Sequence, residues 1–252
     1  MFILEGGLLL KFFSDSANYA IFSLLFMFIS ALCAYLLGGI NSAIIFSRVV
    51  YRDDIRKHGS GNPGLTNMMR TYGKGAAGLT LLGDIAKTAL AIFISAIFFG
   101  FNYVGGISVG EAGYVAGLFA VIGHIAPVYY KFKGGKGVLA TAVMALILSP
   151  IPFLIVFTLF VAIVAVSKYI SLGSVTTAIL YPVVLHGYFA VVFNGAPMFG
   201  LIALSTITIA FLIVWRHKDN LKRIGDRTER KFSFKKDPLI LNDKQEDDED
   251  DV

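Results

Sequence analysis

The sequence is poor in several residue types that soluble enzymes commonly use. Its 252 residues include one cysteine and one tryptophan, and only 15% of them are charged. A single cysteine cannot form an intrachain disulfide, and Cys33 lies in an apolar run, where we expect it to fill space. The metal-binding motifs HExxH and CxxC are absent, so we expect neither a metal site nor a cofactor.

Two further absences concern membrane targeting and nucleotides. The N-terminal stretch has no basic start followed by a small-residue cleavage site, so we expect the first apolar segment to be retained. The segment KGGKG, residues 133–137, lacks the pattern GxxxxGK[ST], because Gly137 follows Lys136 where serine or threonine would stand. A nucleotide-hydrolysing phosphate loop is therefore not supported.

Apolar residues are abundant instead: 56% of the chain is hydrophobic, and the mean hydropathy is +0.72. This composition predicts an all-α polytopic membrane protein. Pro150 and Pro152 interrupt one long run, and we interpret that region as a helical hairpin rather than one kinked helix. Seven transmembrane helices are predicted, at residues 20–48, 76–101, 112–130, 138–150, 152–166, 172–193 and 197–215.

The 22 basic residues are unevenly distributed between these helices. Residues 48–74 hold six, residues 131–136 hold three, position 168 holds one and the segment from residue 216 onward holds ten. With seven helices all of these lie on one side, and the positive-inside rule makes that side the cytoplasm. The N-terminus is then outside and the C-terminus cytoplasmic. We divide the chain into a membrane domain, residues 1–236, and an acidic tail, residues 237–252, which we expect to be disordered.

The first of four polar stretches on the cytoplasmic side is GSGNPGLTNMMRTYGK, residues 59–74. Its glycines allow turns with positive φ and the close approach of a ligand. Its amides, its hydroxyls and an arginine on the first turns of a short helix around Met68 can bind an anion such as phosphate. Any one of these residues alone fits an ordinary loop, but their density favours a site. The candidates are Gly59, Ser60, Gly61, Asn62, Gly64, Thr66, Asn67 and Arg70.

The second stretch, GHIAPVYYKFKGGKGVLAT, covers residues 123–141 and repeats this design. A positive-inside anchor would explain its lysines but not its glycines, so we interpret it as a second loop of the same anion-binding kind. His124 lies in an apolar run, where helix packing explains it at least as well as catalysis does. The candidates are Lys133, Gly134, Gly135, Lys136 and Gly137.

The remaining stretches are YISLGS, residues 169–174, which contains Ser171, and WRHKDNLKRIGDRTERK, residues 215–231. His217 and Asn220 share a face if the last helix continues past Trp215. They could hold a substrate hydroxyl or phosphate, and the histidine could accept a proton near neutral pH. Contact with lipid headgroups is the alternative for this basic segment. We assign that role to Arg216, Lys218, Lys222 and Arg223.

Asp84 and Lys87 are charged residues inside the second predicted helix. Charges there are costly and normally face a polar interior with a partner. We interpret them as a structural ion pair that supports the site rather than as catalytic groups.

By themselves, these residues predict a cytoplasmic pocket for phosphorylated, amphiphilic small molecules. An enzyme, a transporter of organic phosphates and a lipid-binding scaffold all remain open. A transporter should place its polar residues near the bilayer midplane and show two matching halves. These stretches lie at one face, and the sequence shows no internal repeat.

The order and wording of the stretches resemble the PlsY family of acyl-phosphate:glycerol-3-phosphate acyltransferases of bacterial membranes. The resemblance runs through YLLGGINSA (residues 35–43), GSGNPGLTNMMR, GDIAK (residues 83–87), the second stretch, SLGS and RHKDNLKRI. The HxxxxD motif of acyl-CoA-dependent glycerolipid acyltransferases is absent. The resemblance implies transfer of a fatty acyl group from acyl phosphate to the 1-hydroxyl of glycerol 3-phosphate, which gives lysophosphatidic acid and phosphate.

The resemblance also implies roles for individual residues and for partners. Arg70 would contact one phosphate beside the first glycine-rich loop and Lys136 would hold the second. His217 and Asn220 would position glycerol 3-phosphate, Ser171 would line the pocket and Glu229 would be structural. The protein would lie among lipids in the bacterial cytoplasmic membrane with its active site facing the cytoplasm. A separate acyl-phosphate-forming enzyme would supply the donor, and no nucleic acid would be involved.

Overall fold

The computed structural model describes residues 16–100, 103–104, 107–108, 110–195, 198 and 200–233. Nearly all of them are helical, which confirms the predicted all-α class. Two 3₁₀ helices, Ile55–Lys57 and Val128–Tyr130, and one antiparallel strand pair, β1 Tyr103–Val104 and β2 Ile107–Ser108, accompany the α-helices. The acidic tail, residues 237–252, lies outside the described residues. The α-helices are α1 Ser16–Gly39, α2 Ser42–Tyr51, α3 Leu65–Tyr72, α4 Lys74–Phe99, α5 Glu111–Ile125, α6 Val138–Leu148, α7 Pro150–Ser167, α8 Ile170–Val192, α9 Gly200–Arg216 and α10 Lys218–Gly225.

Five segments of the described chain are helical, long and apolar enough to cross a membrane: Ile21–Tyr51, Lys74–Phe99, Glu111–Tyr130, Pro150–Ser167 and Ile170–Val192. Together α9 and α10 would make a sixth, although they are bent by 52°. Apolar side chains on these helices are widely exposed, for example Leu24 at 72% and Val191 at 77%, as expected for a surface that faces lipid. The α6 helix has only 11 residues, about 16 Å at 1.5 Å per residue, so the seven-span topology stays a prediction.

The first predicted span, residues 20–48, contains two helices rather than the single one expected. It ends as α1 at Gly39 and restarts as α2 at Ser42. Asn41 caps α2, because its side-chain oxygen accepts a hydrogen bond from the amide of Ile44 at 3.0 Å. An N-capping asparagine favours a new helix start over continuation, and this signal lies hidden inside an apolar run.

Asp84 and Lys87 on α4 stabilise this break. Lys87 Nζ lies 2.8 Å from Asp84 Oδ1 and donates to the carbonyl of Ile40, also at 2.8 Å. Ser42 Oγ donates to the same carboxylate at 3.0 Å, and Nδ1 of His124 accepts from Lys87 at 3.0 Å. The break frees a backbone carbonyl inside the membrane, where it needs an internal partner. The pair therefore has the structural role that we assigned to it, and His124 belongs to the same buried cluster.

Small residues let α1 and α5 approach closely. A Cβ atom on Gly38 would lie 2.2 Å from the carbonyl oxygen of Ala120, and one on Gly123 would lie 2.1 Å from that of Tyr35. Side chains at these positions would force the helices apart, which is the usual reason for glycine in membrane helix interfaces. The close contact places α5, and with it His124, against the break between α1 and α2.

The predicted break between residues 138–150 and 152–166 is confirmed at Ser149. Its backbone (φ −148°, ψ 66°) ends α6, and Pro150 is the first residue of α7, a position where proline is well tolerated. The largest apolar core lies nearby and includes Tyr114, Leu148 and Leu185, all fully buried. This core extends along the bundle, and the polar stretches adjoin the ends of α4, α6, α8 and α9 away from Ser149.

Candidate active site

One cavity of about 960 Å³ lies where these polar helix ends meet. Its lining combines residues from stretches that are far apart in the sequence. Twelve of the sixteen predicted site residues line it: Gly59, Ser60, Asn62, Gly64, Thr66, Asn67, Arg70, Lys136, Gly137, Ser171, His217 and Asn220. The rest of the wall is largely apolar and includes Leu81, Ala142, Ala145, Phe153, Val156, Phe157, Phe160 and Ala178. The cavity is thus amphiphilic, as the sequence predicts.

Asn67 holds the glycine-rich loop in front of α3. It is 2% exposed, accepts a hydrogen bond from the amide of Ser60 at 3.1 Å and donates to the carbonyls of His58 at 2.9 Å and Ile55 at 3.3 Å. Both ends of its side-chain amide are therefore engaged by the loop itself. Asn67 lines the cavity as expected, and its contacts also make it a positioning residue for the loop. Gly61 has a φ of +67°, which is the conformational reason for a glycine there.

The N-terminus of α3 opens onto the cavity, which Gly64, Leu65 and Thr66 all line. Gly64 precedes the helix without a side-chain capping bond, so the amides of the first turn are open to a ligand, and the helix end favours an anion. Arg70 also lines the cavity, and its Nη2 donates to the carbonyl of Arg230 at 3.5 Å. Arg70 is the sixth residue of α3, in its second turn, which confirms the expected place on the first turns of this helix.

A hydrogen-bond network joins the second and third stretches. Lys136 Nζ donates to Asn220 Oδ1 at 2.5 Å, and Asn220 Nδ2 donates to Glu229 Oε1 at 2.7 Å. The same carboxylate oxygen accepts from Ser171 Oγ at 2.7 Å, while Oε2 accepts from Arg223 Nε at 2.8 Å. Glu229 therefore holds three cavity-lining side chains, those of Ser171, Asn220 and Arg223, in position. This is consistent with the structural role expected for it.

The surroundings of Lys136 and Glu229 shift the pKa values of both side chains. Burial lowers the pKa of Lys136 to about 8, because the attraction of Glu229 is opposed by Arg223, Arg216 and Arg70. Burial alone would raise the pKa of Glu229, but hydrogen bonds from Ser171, Asn220 and Arg223 lower it on balance. Glu229 is thus held ionised, and Lys136 changes its charge within the range of ordinary assay buffers.

His217 lies at the bend between α9 and α10 and is 2% exposed. The last helix therefore does not continue straight past Trp215, yet His217 and Asn220 both line the cavity. Nδ1 of His217 is 2.8 Å from the carbonyl of Ile213. Since a carbonyl only accepts, Nδ1 carries the proton in the neutral ring and Nε2 retains its lone pair. Nε2 can therefore accept a hydrogen bond inside the cavity. Burial and the nearby Lys136 lower the pKa of His217 to about 4, so the ring is neutral near pH 7 and does not titrate there as we expected.

Comparison with known proteins identifies the family to which this site belongs. A family model described as Glycerol-3-phosphate acyltransferase matches residues 28–227. The chain belongs to the glycerol-3-phosphate acyltransferase family. It is 40% identical over 223 residues to the glycerol-3-phosphate acyltransferase of Mycoplasmopsis agalactiae, covering 80% of this chain and 91% of that protein. Over 209 residues it is 39% identical to the enzyme of the same name from Clostridioides difficile, covering 83% and 97%.

Solved structures share the fold of this acyltransferase. The crystal structure of PlsY, an integral membrane glycerol 3-phosphate acyltransferase in its glycerol 3-phosphate form, aligns with a TM-score of 0.69 at 30% identity, over 82% of this chain and 96% of that one. Its lysophosphatidic acid form aligns with a TM-score of 0.67 at 29% identity over the same shares. The resemblance seen in the sequence is therefore confirmed, and the protein is a membrane acyltransferase rather than a transporter or scaffold.

Four predicted residues of the acyltransferase do not line the cavity: Gly61, Lys133, Gly134 and Gly135. The amides of Gly134 and Gly135 donate to the carbonyls of Ile125 at 3.1 Å and His124 at 3.0 Å. A Cβ atom on Gly135 would lie 2.2 Å from the His124 ring. These two glycines therefore let the loop pack on the end of α5, and their amides are not available to phosphate, contrary to our expectation.

Sequence reasoning also missed several cationic residues of the acyltransferase site. Arg223, which we assigned to lipid headgroups, lines the cavity and binds Glu229, and Lys74 and Arg230 line it too. Arg216, assigned in the same way, donates to the carbonyls of Gly134 at 3.1 Å and Gly135 at 3.3 Å. One signal was available: Arg223 is three residues after Asn220, which puts both on one face of α10.

Proposed function

We propose that this acyltransferase moves a fatty acyl group from acyl phosphate to the 1-hydroxyl of glycerol 3-phosphate. The products are lysophosphatidic acid and inorganic phosphate. The observation that carries the proposal is one cavity with two chemically distinct parts: a mouth lined by Arg70, Lys74, Lys136, Arg223 and Arg230, and a deep apolar wall. Two phosphorylated substrates, one with a fatty chain, need both parts.

Each phosphate would have its own group of donors. The open amides at the start of α3, with Arg70, are suited to one phosphate, since they combine a helix terminus with a guanidinium. Lys136 and Asn220 are suited to the other, because the Glu229 network holds them in place. His217, with the lone pair of Nε2, would hold or deprotonate the attacking hydroxyl of glycerol 3-phosphate.

The chemistry is direct transfer between the two substrates. The 1-hydroxyl oxygen forms a bond to the acyl carbonyl carbon, the bond from that carbon to the phosphate oxygen breaks, and the hydroxyl proton passes to His217 or to a phosphate oxygen. Acyl phosphate already has a good leaving group, so alignment and stabilisation of the departing phosphate would supply most of the acceleration. An acylated Ser60 trapped during turnover would contradict this route.

The distribution of basic residues supports a membrane topology that suits this reaction. Seven spans with the N-terminus outside and the C-terminus in the cytoplasm would open the cavity towards the cytoplasm of a bacterial cell. Glycerol 3-phosphate and acyl phosphate from a separate acyl-phosphate-forming enzyme would enter there, and the lysophosphatidic acid would leave into the surrounding lipid.

A choice between two acyl donors tests the proposal. Purified protein in detergent should form lysophosphatidic acid from glycerol 3-phosphate and palmitoyl phosphate, and none from palmitoyl-CoA, because the sequence lacks the HxxxxD motif of acyl-CoA-dependent enzymes. Product can be followed by mass spectrometry. Activity with the CoA donor alone would reject the donor assignment, and activity with neither donor would reject the proposed reaction.

The lowered pKa of Lys136, about 8, gives the reaction a distinctive pH dependence. Protonated Lys136 would bind phosphate, so kcat/KM should fall as the pH rises through about 8. In the substrate complex the bound phosphate dianion would raise the pKa of Lys136, so kcat should fall only at higher pH. Lys136→Arg, which stays charged, should lack this alkaline limb in rate profiles corrected for spontaneous hydrolysis. The same limb in both proteins would assign the titration to another group.

A further inference from the structure

The apolar part of the cavity is a slot between α6, α7 and α8. Along α7, Phe153 stacks on Phe157 with ring centroids 5.4 Å apart, and Phe157 stacks on Phe160 at 6.3 Å. These three aromatic side chains form one wall of the slot. Small side chains from α6 and α8 form the facing walls: Ala142, Ala145 and Ala178. A slot with aromatic and small aliphatic walls fits an extended hydrocarbon chain.

The slot has a defined depth. On α8 the lining residues run from Ser171, in the polar network, to Tyr181, a distance of about 15 Å at 1.5 Å per residue. Ala145 on α6 and Phe153 on α7 are the lining residues nearest to the break at Ser149. All three helices therefore stop lining the slot at about the same depth.

Tyr181 and Ser149 close the slot at this depth. Their hydroxyl oxygens are 2.6 Å apart, and Ser149 Oγ donates to the carbonyl of Ala145 at 3.1 Å. Because the serine proton is used there, the tyrosine hydroxyl is the donor between the two. Tyr181 is 3% exposed and Ser149 is fully buried. Leu185, one turn further along α8, is also fully buried in the core, so the space beneath the tyrosine ring is filled.

We propose that Tyr181 determines which acyl chains the site accepts, by acting as the floor against which the chain terminus rests. The hydrogen bond to Ser149 holds the ring in place. An extended chain advances about 1.3 Å per carbon, given carbon–carbon bonds of about 1.5 Å, so the slot holds about 12 carbons below the level of Ser171. This inference rests on the proposed function, because it assigns the apolar slot to the acyl donor.

A chain-length series measures the effect directly. Saturated acyl phosphates from lauroyl to arachidoyl phosphate serve as donors for the wild type and for Tyr181→Ala, and the readout is the ratio of kcat/KM for stearoyl to that for myristoyl phosphate. Removing the ring should raise this ratio about tenfold or more, since each additional buried methylene contributes about fourfold. The ratio is independent of the fraction of active protein, so partial misfolding does not distort it.

Matched variants separate a steric floor from general damage. Tyr181→Phe keeps the ring and should change the ratio by less than about twofold. Tyr188→Ala removes a tyrosine from the same helix and the same core but outside the cavity lining, and should leave the ratio unchanged. Ala145→Leu adds bulk at the floor and should shift preference towards shorter donors, which tests the idea even if Tyr181→Ala does not fold.

The experiment distinguishes failure of the proposed role of Tyr181 from failure of the proposed reaction. A ratio unchanged in Tyr181→Ala and in Ala145→Leu, or an equal shift in Tyr188→Ala, would overturn the role of Tyr181 while leaving the reaction intact. A wild type that turns over none of the acyl phosphates would instead overturn the proposed function, and this inference with it.

Discussion

Replacing Lys136 by alanine should lower kcat/KM for acyl transfer by at least about thirtyfold, equivalent to about 2 kcal/mol for a charged phosphate contact. Lys136 lines the cavity and is held by Asn220 at 2.5 Å, so the substitution removes a positioned cation from a site where several positive charges would meet phosphate. We expect Arg70→Ala to have a loss of similar size, because Arg70 lines the same mouth. Steady-state kinetics with palmitoyl phosphate and varied glycerol 3-phosphate would measure both.

Lys133 provides the matched control for this experiment. It is three residues before Lys136 in the same loop but does not line the cavity, so Lys133→Ala should keep kcat/KM within about twofold, as expected for a surface position. Wild-type rates in Lys136→Ala and Arg70→Ala would refute the phosphate site. An equal loss in Lys133→Ala would show instead that the general charge of the loop matters, and not one bound lysine.

Replacing Glu229 by glutamine should lower kcat/KM at least tenfold, although Glu229 is not expected to touch the reacting atoms. Its two oxygens accept from Ser171, Asn220 and Arg223, and glutamine has one acceptor end, so its NH₂ group must face a donor. Each lost bond to a charged group contributes about 1.5 to 3 kcal/mol. Because the charge of Glu229 raises the pKa of Lys136 against burial, the variant should also move the alkaline limb of the rate profile to lower pH.

Asp226 is a suitable control for Glu229, because it is an exposed carboxylate three residues earlier. Asp226→Asn should leave both the rate and its pH profile unchanged. A thermal unfolding curve in detergent would report how far Glu229→Gln lowers stability, and the pH profile would separate lost positioning from lost folding. If Glu229→Gln had an unaltered pH–rate profile and only a lower melting temperature, Glu229 would contribute to stability and not to positioning Lys136.

Several features of this protein follow from local sequence alone. The apolar runs determine that the chain is a helical membrane protein, since about 20 apolar residues cover a bilayer whatever their order. Pro150 determines the break before α7, because proline fits the first position of a helix but not its interior. The dense glycine-rich motifs pointed to the family, and they supply a large share of the polar part of the cavity lining.

Other features depended on which helices meet. The break at Asn41 needs the ammonium of Lys87, which is 47 residues away from the Ile40 carbonyl that it binds. Lys136 meets Asn220 across 84 residues and Ser171 meets Glu229 across 58. The sequence predicts Gly134 and Gly135 as phosphate ligands, yet their amides donate hydrogen bonds to carbonyls at the end of α5.

The physical reason is the same in each case. Chain composition and helix period determine secondary structure and membrane insertion, which are local properties. The partner of a hydrogen-bond donor depends on packing between helices distant in the sequence, and only the tertiary structure decides whether that partner is a substrate or another residue of the chain. The same packing places Tyr181 at the floor of the acyl slot, a role that its apolar surroundings in the sequence do not reveal.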